Sequence, residues 1–261
     1  MKSARLVIVF AILITLGCGS SSTPHFNIIS VEDEWQLGAQ MAHDLSTQLQ
    51  FVNDPDALAY LRNMGQRMVS QTNLATNPWE FHIVRNDEVN AFSIPGGHVY
   101  VNTGLIKAAH SASELAGVMA HEISHGALRH GTQEISRQYG IDILSNAALG
   151  KNPSTYQQVV AQVISAGATA KFSREQEKEA DEMGVKLMHG AGYDPNGMAN
   201  MFRTLLAEQK SRPNAVQRFF ATHPLTEDRI KDVEAAAAKL PKKTNLLTDE
   251  PEFHTIRERL Q

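Results

Sequence analysis

The sequence predicts a mainly α fold of the α+β kind, with amphipathic helices packed beside one small β-sheet. Three observations carry that expectation. Apolar residues recur at helical spacing over 31–50, 56–69 and 111–130. Charged or Ala-rich stretches over 173–189, 196–210 and the approach to Lys239 continue the helical pattern through the second half. Only two short runs, 79–85 and 97–102, alternate apolar with polar residues as a half-buried strand does.

Over 31–50 the apolar stripe is Trp35, Leu37, Met41, Leu45 and Leu49, and over 56–69 it is Leu58, Leu61, Met64 and Met68. Two neighbouring amphipathic helices of this kind are expected to pack as a hairpin. The strands follow, the second reached through the Pro95-Gly96-Gly97 break, and form an antiparallel or mixed sheet. Ser111-Ala-Ser-Glu114 has the pattern of a capping box and opens a helix with Leu115, Val118, Met119 and Ile123 that runs to about His130. A less patterned region with Gly150 and Pro153 comes next, and its position suggests a lid over residues 134–172. The helix over 173–189 stops at Gly190-Ala-Gly192 with Pro195 beyond. Phe219-Phe-Ala-Thr-His-Pro224 separates the helix over 196–210 from the last helix, and 241–261 is charged and poorly patterned, a tail or a short docking segment.

The 261 residues are 42% hydrophobic and 20% charged, which suits one large domain with a substantial core and rules out disorder as the main state. A net charge of −4 with no long Lys/Arg run excludes a nucleic-acid platform, which needs a concentrated basic face. A single cysteine excludes an internal disulfide and any Cys-rich zinc finger. Cys18 therefore needs another role. Lys2 and Arg5, an apolar run over 6–16 and Gly17 before the cysteine stand in the order of a signal peptide, and the run is shorter than the roughly 20 residues a spanning helix takes. The cysteine after a small residue resembles the lipobox of bacterial lipoproteins, although Thr15 and Leu16 depart from its usual residues. That likeness implies cleavage before Cys18 and acylation of its thiol. The alternative is a plain secretory leader with an incidental thiol. The chain then divides into a leader (1–17), a lipidated tether (18–30), one domain (31–240) and a tail (241–261). Without Lys2 and Arg5 the net charge becomes −6.

Within the capped helix lies HEISH at 121–125. Residues four apart project from one helix face, so His121 and His125 can converge on one ion as a zinc half-site. Glu122 is rotated about a quarter-turn away, beside an open metal position, where it can take a proton from bound water. The bland alternative is a surface helix that carries two histidines and an acid. A catalytic zinc needs a third protein ligand, and the helix over 173–189 offers Glu177-Lys-Glu-Ala-Asp181. Glu177 and Asp181 share a face, so one can bind metal while the other accepts the second ring N–H of a ligating histidine. Glu175, Glu179 and Glu182 lie on the same helix, and spacing alone does not choose among these acids.

HEISH at 121–125, EKEAD at 177–181 with GAGYDP at 190–195, NAFSIPGGHVYVNTGL at 90–105 and THPLTEDRI at 222–230 form four blocks in register. With them the chain resembles the zinc metallopeptidase family that contains the CAAX prenyl endopeptidases, the HtpX-type heat-shock proteases and the periplasmic beta-barrel assembly-enhancing protease. The likeness covers about 31–239 and implies a gluzincin-type zincin with a small sheet beside the active-site helix. It implies one Zn2+ per chain on His121, His125 and Glu177, with Glu122 as general base and Asp181 as the orienting carboxylate. It also implies that 95–103 is an edge strand, in which Gly97, His98, Val99, Tyr100 and Val101 offer free backbone groups to an extended substrate. Read from the residues alone, His223 merely precedes Pro224 at a helix start. The family likeness sets it near the metal, where it either stabilises the oxyanion or fills the fourth position and holds the enzyme inactive. Arg229 would orient or balance nearby carboxylates.

The function implied is a zinc-dependent endopeptidase that cuts unfolded or misassembled cell-envelope proteins, attached through Cys18 to the periplasmic face of a bacterial membrane, the outer one in preference. A soluble periplasmic protein is the alternative location. A rival function is a latent or non-proteolytic zinc-binding envelope chaperone, and a further one is a cell-wall amidase. No nucleic-acid partner is expected, and the oligomeric state stays open. The spanning helices and the helical-repeat extension found in relatives are expected to be missing. His43, His82, His98, His110, His189 and His254 are expected to be packing or surface residues, and His130 to cap the active-site helix or pair with an acid. Met183, Met188, Met198 and Met201 are expected to fill the core.

Overall fold

Helix α1 (Val31–Ser46) starts where the Ser30 hydroxyl accepts the Asp33 amide, with Glu32, Asp33 and Glu34 at the positive end of the helix dipole. These coordinates are a computed structural model and describe residues 26–148 and 171–261. The expected leader, Cys18 and most of the tether lie outside the described residues, as does 149–170 of the expected lid. Helix α2 (Pro55–Val69) starts on Asp54, whose carboxylate takes the Asp56 and Ala57 amides, with Pro55 where no donor is needed.

Strands β1 (Glu80–Val84), β2 (Ala91–Ile94) and β3 (His98–Asn102) form a mixed sheet in the order β1-β3-β2. β3 runs parallel to β1 and antiparallel to β2. This corrects the expected edge strand over 95–103. Gly97 lies in the turn, and His98, Val99, Tyr100 and Val101 are flanked by β1 on one side and β2 on the other, so an extended peptide has no free edge there. The sheet's edges are β1, whose outer side pairs with residues 50–52, and β2, which leads into β3 through Gly96 and Gly97, both at positive φ (81° and 75°).

The sheet also separates the first two helices. Phe81, Ile83, Val99 and Val101 join the main core with Leu61, Met64 and Met68 of α2, whereas Val84, Ile94 and Tyr100 meet Leu37 and Met41 of α1 on the opposite face. The expected α1–α2 hairpin is therefore corrected: each helix buries its stripe on the sheet instead of on the other. Gly38 is where α1 touches the hairpin turn, and a Cβ there would lie 2.1 Å from the Pro95 carbonyl oxygen.

After the short α3 (Thr103–Ala108), α4 (Ala112–Ala127) runs buried along almost its whole length. Ser111 caps it by accepting the Glu114 amide, while the Glu114 carboxylate takes the His110 amide instead of closing the box on Ser111. The helix ends three residues earlier than its sequence pattern suggests. Arg129 turns left-handed (φ 61°), and His130 opens α5 (His130–Ala148) in a new direction. The Arg129 guanidinium reaches buried Glu34 and the Ile29 carbonyl, both at 2.5 Å, so α1 is tied to this corner.

The rest of the chain wraps α4. Helix α6 (Arg174–Ala191) has a full capping box between Ser173 and Gln176 and stops at Gly192, whose φ is 87°. Helix α7 (Asn196–Ser211) comes close enough that a Cβ on Gly117 would lie 2.6 Å from Met198 Cα. An additional helix, α8 (Pro213–Thr222), precedes α9 (Glu227–Ala238). The final segment docks. Leu247 pairs with Tyr193, the Thr248 carbonyl and Asp249 carboxylate receive the Ser113 and Ala112 amides, and α10 (Pro251–Arg259) buries Phe253 and Ile256. Residues 241–261 are thus part of the folded domain and cap the start of α4. No helix among the described residues is long and apolar enough to cross a membrane.

Candidate metal centre

Four elements deliver one cluster. Helix α4 presents His121 and His125 one turn apart, and α6, packed along it, presents Glu177 and Asp181. Gly184 permits that approach: a Cβ there would come within 3.3 Å of the α4 backbone at His121. His223 closes the C-terminus of α8, and Arg229 sits in the first turn of α9, capped by Thr226. The structure brings all six side chains together.

His121 Nε2 lies 3.0 Å from His125 Nε2 and 3.3 Å from His223 Nδ1. Glu177 Oε1 lies 3.0 Å from His223 Nδ1 and 3.4 Å from His125 Nε2. Zinc bonds of about 2.0–2.1 Å in a tetrahedron place neighbouring donors about 3.4 Å apart, so this set has the right chemistry and the right spacing for one such ion. Burial pushes His125 well below the usual imidazole range, His121 and His223 add to that, and Glu177 does not offset them, so its lone pair is available. Burial alone would raise Glu177, but the surrounding imidazoles outweigh it and keep the carboxylate ionised.

Around the donors, Asp181 Oδ1 lies 2.9 Å from His121 Nδ1, which fixes the ring with Nε2 turned inward. Arg229 grips both acids: Nε and Nη2 each donate to Asp181 at 2.8 Å, and Nη1 donates to Glu177 Oε2 at 2.6 Å. Glu122 stands beside the cluster. Ser93 Oγ of β2 donates to its Oε2 at 3.1 Å, while Oε1 is buried without a hydrogen-bond partner, 3.5 Å from His223 Nε2. A carboxylate oxygen left this way in a buried site points to a role in chemistry.

Two residues join the site that the sequence reading did not place there. His130 Nδ1 lies 2.9 Å from His125 Nδ1, and its Nε2 lies 3.3 Å from Glu179 Oε2. His125 can donate through Nδ1–H to His130, which donates in turn to Glu179, so each histidine of the pair on α4 has its own orienting partner. Of the two roles expected for His130, capping the helix or pairing with an acid, it takes the second, and five residues beyond His125 it reaches back to that ring because the chain turns at Arg129. Phe172, just before α6, stacks on His125 with centroids 4.0 Å apart. No spacing in the sequence marks it.

Two histidines a turn apart on one helix, completed by a glutamate from a second helix and flanked by a free glutamate, define a metallopeptidase centre of the HExxH class. The chain belongs to peptidase family M48, whose pattern matches residues 55–237. It is 30% identical over 236 residues to the beta-barrel assembly-enhancing protease of Escherichia coli (strain K12), a match covering 86% of this chain and 47% of that protein. It is 31% identical over 176 residues to the mitochondrial metalloendopeptidase OMA1 of Schizosaccharomyces pombe, covering 67% of this chain and 51% of that one. It is 28% identical over 165 residues to the metalloprotease YcaL of Escherichia coli (strain K12). The chain spans about half the length of the first two relatives.

Proposed function

We propose that the chain is a zinc endopeptidase of the bacterial cell envelope whose resting site is closed by His223. The observation that carries the reading is the pairing of a tetrahedral donor set with Glu122, a buried carboxylate held by Ser93 and left with one unpartnered oxygen. His121, His125 and Glu177 would hold the ion, which when bound supplies Lewis acidity toward water and the scissile carbonyl. Glu122 takes the proton of the attacking water and passes it to the leaving amine. Asp181, with Arg229 behind it, keeps the His121 ring in register. The edge of β2, which carries Ser93, is the place where an extended peptide pairs beside the site. Extended pairing selects unfolded segments, and the name of the relative from Escherichia coli ties that protein to β-barrel assembly. Unfolded or misassembled envelope proteins are therefore the proposed substrates, and a lipid on Cys18 the proposed anchor. Cys18→Ser checks the anchor: the variant should leave the membrane fraction, and its staying there unchanged would refute attachment through that residue.

His223 has two readings, an oxyanion donor or a lock on the fourth position. Its Nδ1, within 3.3 Å of His121 Nε2 and 3.0 Å of Glu177 Oε1, favours the lock. His223→Ala is expected to raise chelator-sensitive cleavage of casein several-fold. A fall of about 10²–10³-fold would make His223 an oxyanion donor instead. No cleavage by either protein when zinc is supplied would sink the peptidase reading in favour of a binding-only envelope factor.

A further inference from the structure

The face of the sheet turned away from α4 carries a second set of convergent donors. Glu80 and His82 lie two residues apart on β1 and so point to the same side, and His98 stands on β3 directly across from Glu80 in the parallel register. Glu80 Oε2 lies 3.6 Å from His82 Nε2 and 3.6 Å from His98 Nδ1, and all three donor atoms fall within 4.8 Å of one another. At 3.6 Å these are ion-pair contacts, longer than hydrogen bonds. His82 Nε2 and His98 Nδ1 are both shielded from solvent without a hydrogen-bond partner. Two ring nitrogens shielded from solvent that face one carboxylate without a hydrogen bond make a costly arrangement unless something bridges them.

We infer that Glu80, His82 and His98 form a second divalent-metal site, separate from the α4–α6 centre, that takes Zn2+ and ties β1 to β3.

The donor set decides the class of ion. Two imidazoles and one carboxylate suit zinc and its borderline neighbours, whereas magnesium and calcium require oxygen shells. Partial burial favours the neutral form of both rings that a metal needs: His82, half-buried and facing His98, is pushed down to about 4, and His98 is likewise lowered, against the pull of Glu80. Packing limits the motion of the His82 ring, which stacks on Tyr100 at 4.7 Å and lies beside His98 at 5.8 Å. The His98 side chain is 9% exposed, that of His82 25% and that of Glu80 57%, so His98 forms the floor and the carboxylate the rim, and an ion enters from solvent past Glu80. Three protein donors leave the remaining positions to water. This site is therefore the weaker of the two, filled after the four-donor cluster.

Equilibrium dialysis of the untagged full chain against zinc, followed by elemental analysis, tests the assignment. At saturation about two ions per chain are expected, against about one once free zinc is removed. Glu80→Gln changes an exposed side chain, and His82→Phe keeps the stack on Tyr100, so both variants should fold. Each should lose only the weaker ion, together with the rise in Tm that the second equivalent gives the unmodified chain. A saturated chain with a single zinc overturns the inference. So does a second zinc that persists in both variants, since it then sits elsewhere. His125→Ala separates this result from the peptidase reading: it should lose the tight ion and retain the one at Glu80.

Discussion

Glu122→Gln is expected to abolish peptide-bond cleavage, a loss of at least about 10²–10⁴-fold, while the chain keeps its zinc and its stability. The substitution is nearly isosteric and removes only the negative charge and the ability to accept a proton. The Ser93 hydroxyl, 3.1 Å from Oε2, can still bond to an amide oxygen, and the donor atoms of His121, His125 and Glu177 are untouched. Because Glu122 Oε1 is buried without a hydrogen-bond partner, neutralising the group relieves a desolvation cost, so Tm should hold or rise slightly. Three measurements on one preparation separate the possibilities: casein cleavage, zinc content after dialysis and thermal unfolding. Cleavage at the unmodified rate would sink the general-base role. Loss of zinc together with activity would mean that Glu122 is itself a ligand and that the donor set is misassigned.

What could be read from the sequence follows a physical division. Elements with a clean helical stripe and caps, such as α2, α4 and α6, were legible because their period and terminal chemistry are local properties. The pairing of His121 with His125 was legible for the same reason, since four-residue spacing on a helix is a statement about one face, whereas Glu177 and His223 were set beside them only by the family likeness. Partners were not legible. β2 is four residues long with protein on both faces, Phe92 and Ile94 toward α1 and Ser93 toward Glu122, so it shows no useful alternation, and without it β3 passes for an edge. The sheet between α1 and α2 is likewise invisible to a reading that pairs sequence neighbours. α10 carries only Phe253 and Ile256 as apolar anchors within charged surroundings, and what holds it is distant: Tyr60 donates to Glu250, and Arg259 reaches Asp54 and Asp56. Pro213 at the first position of α8 is a local start signal of the kind a sequence does carry. His130 depends on the left-handed Arg129, a conformation that a non-glycine residue does not advertise.

Arg229→Met is expected to destabilise the fold by about 3–5 kcal/mol and to weaken zinc binding about 10–100-fold, the largest effect outside the donor atoms themselves. Met keeps most of the length and can still pack on Phe202, over whose ring the guanidinium now sits at 4.9 Å. The change therefore isolates the lost fork from lost packing. What remains are two buried carboxylates, 3% and 4% exposed, that share one cation. Without it, Asp181 is free to swing off His121 Nδ1, and Glu177 loses the bond that aims its other oxygen at the cluster. Stability and affinity should fall together, since an ion that binds only the folded chain adds its binding energy to folding. Zinc should accordingly recover part of the lost Tm, because it replaces the missing positive charge beside Glu177, but it cannot restore the contact to Asp181. Arg229→Lys is the intermediate case: one ammonium satisfies one acid at a time and cannot hold both planes, so affinity should recover only partly. Unchanged Tm and zinc affinity in Arg229→Met would show that the two carboxylates are held by the rest of the cluster and that the clamp is dispensable.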